Sequence, residues 1–118
     1  MRRITRDELR ILLHGRAATL IEALPQAHYD AEHLPGAINV AGALTAGIAA
    51  SVAADPAATV VVYCSGFGCP RSRVTAAAFT RLGHTDVRAY EGGKRVWADA
   101  GLPLPGTRHA TTPTGSPA

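Results

Sequence analysis

No stretch of this chain comes near the run of roughly twenty apolar residues that a membrane-spanning helix requires, and aromatic side chains make up only 5% of its 118 residues. The first deficit argues against a membrane span. The second means that any core is built from Ala, Val, Leu and Ile. Charge of one sign is scarce too: the net charge is +3. The basic residues are scattered with few aromatics between them, so the footprint of a nucleic-acid binder is missing. A mildly positive surface still favours small anions. Cysteine is nearly absent, with two residues in all, which rules out the disulfide framework of a small secreted domain. The basic start, "MRRITRDEL", leads into an amphipathic pattern and not into the apolar centre of a secretion signal. Together these points predict a soluble cytoplasmic protein that engages neither membrane nor nucleic acid.

With 47% hydrophobic residues, the chain can form one compact domain. Thr5 to Glu8 has the form of a capping box, and Leu9, Ile11, Leu12 and Leu13 supply the apolar face of a helix that stops at Gly15. Ala18 to Ile21 reads as a strand, the segment from Pro25 to Ala37 as turn-rich, and Ile38 to Val40 as a very short strand. Ala43 to Ala53 is helix-prone. Thr59 to Tyr63 is apolar on both faces and β-branched, which suits the centre of a parallel sheet. Val74, Ala77, Ala78, Phe79 and Leu82 recur at helical spacing up to Gly83, Asp86 to Tyr90 is a strand, and a last helix carries Val96, Trp97 and Ala100. His84, after Gly83, reads as part of a surface turn. The alternation predicts an α/β fold, a mostly parallel sheet of four or five strands with helices on both faces. Residues 1–105 form the expected domain. Residues 106–118, rich in Pro, Thr, Gly and Ser, read as a disordered tail.

Both cysteines lie in one short segment, "CSGFGCPRS", directly after the central strand. In open α/β sheets, ligands bind outside the carboxyl ends of the strands. Cys64 occupies such an end, and a helix starting near Pro70, Arg71 and Ser72 turns its unpaired N–H groups toward the loop. Gly66 and Gly68 let the backbone between Ser65 and Phe67 curl, so that further N–H groups face inward. Such a cradle favours a thiolate on Cys64 and would hold an anion one atom further out. No His, Asp or Glu lies between Cys64 and Ser72, so the loop itself offers no general base. Arg71 is a candidate to attract an anionic substrate. Two readings of Cys69 stand: a resolving or relay thiol close to a reactive one, or a plain loop residue. Zinc would need two further ligands and a different spacing.

Flanking this loop are "HLPGAIN", His33 to Asn39, and "YEGGKRVWADAGLPL", Tyr90 to Leu104. With the cysteine loop between them, these stretches resemble the signatures of single-domain rhodaneses, the rhodanese-like sulfurtransferase family, over residues 4–104. The resemblance implies a rhodanese-like fold and transfer of a sulfane sulfur from a donor such as thiosulfate to cyanide or a thiol. The carrier would be a persulfide on Cys64, with no metal or organic cofactor and with a protein as a conceivable sulfur acceptor. Two positions depart from the family pattern. Glu22-Ala23-Leu24 stands where Asp-x-Arg is frequent, so that ion pair is absent, and Cys69 stands where many members carry the last loop residue as arginine. The other readings are a catalytically weak binding or redox-sensor module, and a cysteine phosphatase or arsenate reductase. The latter group wants Cys-x5-Arg, whereas six residues separate Cys64 from Arg71.

Overall fold

A computed structural model describes residues 2–109. Its elements in chain order are β1 (Arg2–Arg3), α1 (Arg6–His14), β2 (Thr19–Glu22), α2 (Gln26–Ala31), β3 (Ile38–Asn39), α3 (Ala46–Val52), β4 (Thr59–Tyr63), α4 (Arg71–Arg81), β5 (Asp86–Tyr90) and α5 (Gly93–Asp99). The five strands form one sheet in the order β1-β5-β4-β2-β3, and every pairing is parallel. This is the α/β architecture that the sequence predicts. Among the described residues, no helix is long and apolar enough to cross a membrane.

The central strand shows why both faces must be covered. Val61 and Tyr63 point into one core with Leu9, Leu20, Tyr90 and Trp97. Val60 and Val62 point into the other with Ile21, Ala49, Ala76 and Phe79. Side chains alternate along a strand, so a run of apolar residues is stable only between two layers of helix. The first layer is α1, α2 and α5, and the second is α3 and α4. Of β2, β4 and β5, only β4 hands the chain to the second layer. Its carboxyl end therefore lies between strands whose next helices leave on the opposite face, which is where a crevice opens in such sheets.

Helix ends follow the sequence signals. The Thr5 hydroxyl accepts from the Glu8 N–H at 3.2 Å, and the Glu8 carboxylate accepts from the Thr5 N–H at 2.8 Å. That bond to the backbone, together with the Thr5 side chain, lowers the Glu8 pKa. After α4, Gly83 takes φ +100°. The Gly83 N–H then reaches Thr80 O at 3.0 Å and the His84 N–H reaches Phe79 O at 3.1 Å, the paired bonds of a Schellman end.

Several local expectations are corrected. Ile11 is 73% exposed, because the buried stripe of α1 runs through Leu9, Leu12 and Leu13, and Ile11 sits two positions out of phase. In α4 the buried stripe is Ser72, Thr75, Ala76 and Phe79; it leaves Val74 63% exposed and Leu82 also outside. His84 is buried, its ring edge-on to Phe79 at 5.2 Å, because the Schellman end folds it back over the helix. Strand β1, which continues as the Ile4 N–H bonds Ala89 O at 3.0 Å, gives no signal in a two-residue basic stretch. Structured chain also continues past 105. Residues Thr107–His109 form a 3-10 turn, Gly106 packs on the Ala31 backbone, and Arg108 meets Glu32 at 3.3 Å. The rest of the expected tail, 110–118, lies outside the described residues.

Candidate active site

The site is built at the end of β4. Cys64 follows the last strand residue and is 1% exposed. The chain then makes a tight turn: the Cys69 N–H bonds Gly66 O at 3.2 Å, and Gly68 takes φ +88° in the third position. That conformation is open to glycine and costly for other residues. The turn brings the two cysteines together, with Cα atoms 6.5 Å apart and a disulfide between them. Cys69 is half-buried, so it is the more exposed residue of the pair. Pro70 precedes the first turn of α4, a position where its missing N–H costs nothing.

The other wall of the loop is the start of α5. The Lys94 N–H bonds Cys64 O at 3.1 Å, and the Arg95 N–H bonds Ser65 O at 2.9 Å. Free N–H groups of a helix start thus fix the two carbonyls at the base of the loop. This contact requires Gly93. Its φ is +58°, and a Cβ there would collide with the Cys64 carbonyl and sit 2.7 Å from the Gly66 nitrogen. Gly93→Ala should therefore displace α5 from the loop. We expect a stability loss above the ~1 kcal/mol of ordinary Gly→Ala strain, measured by urea unfolding, together with a loss of loop function. Unchanged stability would mean that the approach is looser than these distances.

Beneath the loop lies a buried polar group that the sequence reading missed. Glu22, at the end of β2, is fully buried. One carboxylate oxygen accepts from the Tyr63 hydroxyl at 2.6 Å, and that hydroxyl accepts from the Leu34 N–H at 3.0 Å. The other oxygen is 3.2 Å from the Lys94 ammonium, an ion pair whose angle falls short of a hydrogen bond. Lys94 also donates to His28 O at 2.9 Å. Burial, reinforced by the Glu22 carboxylate, pushes the Tyr63 hydroxyl far above its ordinary pKa, so it remains a donor. The ion pair judged absent at Glu22 is thus replaced by another, made with a lysine from the far end of the domain sequence. The one available signal was a charged residue at the start of α5, between Gly93 and the apolar Val96 and Trp97.

The first flanking motif is explained by local bonds. His33 Nδ1 donates to Tyr29 O at 2.7 Å, and its ring stacks on Tyr29 at 4.0 Å. The Asn39 amide donates to Leu24 O at 2.8 Å. In the second motif, the Trp97 indole N–H donates to Pro103 O at 2.8 Å, and the ring belongs to the core.

The loop residues singled out in the sequence do not all face one way. Ser65, Gly66 and Phe67 line a cavity of about 740 Å3 that also holds Lys94, Arg95 and Arg108. Phe67 is 75% exposed at the loop tip. Pro70 and Arg71 face a separate groove with Val40, Val74 and Arg81. Ser72 is buried inside the first turn of α4. Arg71 is exposed and does not fold over the cysteine loop as a phosphatase arginine would.

The sequence pattern of the rhodanese-like domain matches residues 5–100. The chain belongs to the rhodanese-like domain family. An HTH-type transcriptional regulator of Mycobacterium tuberculosis is 34% identical over 101 residues, which are 86% of this chain and 43% of the regulator. The chain therefore spans less than half the length of that relative. Among solved structures, a Bacillus halodurans protein superposes with a TM-score of 0.82 at 21% identity, covering 91% of this chain and 78% of its own. A thiosulfate sulfurtransferase of Pseudomonas aeruginosa superposes with a TM-score of 0.73 at 28% identity, covering 90% of this chain and 20% of its own. The rhodanese-like fold expected from the three motifs is the fold observed, and the family is of the sulfurtransferase type.

Proposed function

We propose that this rhodanese-like domain moves a sulfane sulfur from a small anionic donor of the thiosulfate class to a thiol or cyanide acceptor, through a persulfide on Cys64. The observation that carries this reading is the position of Cys64. It sits at the carboxyl end of the central strand, in a loop whose base is held by the α5 N–H groups at 3.1 and 2.9 Å. With the disulfide reduced, the Cys64 thiolate attacks the outer sulfur of thiosulfate. The S–S bond of the donor breaks and sulfite leaves with the bonding pair. The acceptor then attacks the outer sulfur of the persulfide, and the Cys64 thiolate is released. Loop N–H groups stabilise both anionic forms. Arg71, exposed next to the loop, contributes positive charge that draws the donor in.

The test is sulfur loading. Reduced Cys69→Ser protein, in which Cys64 is the sole thiol, should gain about 32 mass units on the peptide that carries Cys64 when incubated with thiosulfate, and cyanide should remove them as thiocyanate. A gain on no peptide of that reduced variant overturns the reading. The likeness to a transcriptional regulator favours a second reading, a sulfur- or redox-sensing module of low turnover. In that case loading occurs once, and thiocyanate production stops near one equivalent per protein.

A further inference from the structure

We propose that Cys69 resolves the Cys64 persulfide, so that the domain reduces sulfane sulfur to sulfide and closes the Cys64–Cys69 disulfide as it does so. The inference rests on the persulfide chemistry proposed above and adds a second half-reaction to it. The two Cα atoms are 6.5 Å apart, inside the range that a disulfide spans. The turn that sets this distance is closed by its own hydrogen bond, Cys69 N–H to Gly66 O. The Cys69 sulfur therefore reaches the inner sulfur of a Cys64 persulfide without refolding of the loop.

In the proposed step, Cys69 attacks that inner sulfur. A bond forms between the Cys69 and Cys64 sulfurs, and the bond to the outer sulfur breaks. The outer sulfur leaves with the electron pair and takes the Cys69 proton, as hydrosulfide. The sulfane sulfur is thereby reduced to the sulfide level, and the two cysteines are oxidised to the disulfide seen here. A dithiol restores the resting state. It attacks the sulfur of Cys69, which is half-buried, while Cys64 at 1% exposure is shielded. The leaving thiolate is then Cys64, the one held in the loop, and the faster leaving group is the more stabilised thiolate. The dithiol ends as its own disulfide. The net change is one thiosulfate and one dithiol converted to sulfite, hydrosulfide, a proton and the cyclic disulfide.

A single turnover without oxygen decides the matter. Wild type and Cys69→Ser are reduced with dithiothreitol, freed of it, and mixed with one equivalent of thiosulfate. The expected wild-type result is about one sulfide for each sulfite, at a rate independent of protein concentration, and a protein mass two units below the dithiol form. The expected Cys69→Ser result is equal sulfite release, no sulfide, and a persistent persulfide. Wild type that keeps the extra sulfur and releases no sulfide, as the variant does, overturns the role of Cys69 and leaves the Cys64 persulfide standing. Failure of both proteins to release sulfite sinks the persulfide itself, and this inference with it. Dithiothreitol added afterwards should restore a second turnover in wild type; a disulfide that resists it is a dead end and also overturns the proposal.

Discussion

Cys64→Ser should reduce sulfur transfer by ~10^3-fold or more, the scale on which removal of a covalent nucleophile acts, while the fold survives. The hydroxyl is close to the thiol in size, and the carbonyl of residue 64, which the Lys94 N–H engages, belongs to the backbone and is kept. The measurements are sulfite release from thiosulfate and thiocyanate formation with cyanide, beside the urea midpoint of the same sample. A variant that retains more than about a tenth of the wild-type rate would remove Cys64 from the nucleophile's role, since an oxygen at ordinary pKa cannot carry sulfane sulfur as a persulfide. Cys69→Ser is the internal control, because it also abolishes the disulfide and yet should release sulfite at the wild-type rate. A pH profile adds an independent check. If the loop N–H groups stabilise the thiolate, the rate of the first step rises with pH and levels off below the free-cysteine pKa of about 8.5.

What could be read from the chain and what could not divide along a physical line. Thr59 to Tyr63 was legible in full because a β-branched threonine followed by four apolar residues, running into a glycine loop, admits few placements other than the middle of a parallel sheet. The ends of α1 and α4 were legible because capping chemistry is local: Thr5 with Glu8, and Gly83 just past the last turn of α4. The position of the cysteine loop followed from those two facts. Residues whose environment is set by packing, and not by their own type, were misread or passed over. His84 looks like a turn residue until the Schellman end lays it on Phe79. Val74 fits an apolar period, but the contact stripe of α4 is set by the small Ala76 and Thr75 against β4 and β5. Strand β1 exists only because β5 offers it an edge. Lys94 is the clearest case: the sequence assigns it no partner, and only the meeting of α5 with the end of β2 gives it a buried carboxylate.

That pairing sets the second large effect, on stability. Glu22 and Lys94 have side-chain exposures of 0% and 9% and lie 3.2 Å apart. In such a setting the pair itself need not be strongly stabilising, but removal of one partner leaves an uncompensated buried charge and costs ~3–5 kcal/mol. Lys94→Met should therefore lose a large part of the ~5–15 kcal/mol that holds a domain of this size together. Glu22→Gln should cost a comparable amount, because the Lys94 ammonium would keep only the His28 carbonyl. The double variant is the informative one. The glutamine amide at position 22 would still offer an oxygen to the Tyr63 hydroxyl, which in the native protein bonds Glu22 at 2.6 Å, and neither charge would remain. Its loss should fall short of the sum of the single losses by more than ~2 kcal/mol, within the range measured for residues in direct contact. Urea unfolding of the four proteins gives this coupling. The same cycle reports on function, since the Lys94 N–H is what holds the carbonyl of Cys64. Sulfite release should fall in each single variant at temperatures where it is still folded, and recover in part in the double. Additive losses in stability would show that Glu22 and Lys94 are each satisfied without the other, and the buried ion pair would then play no part in seating α5 against the loop.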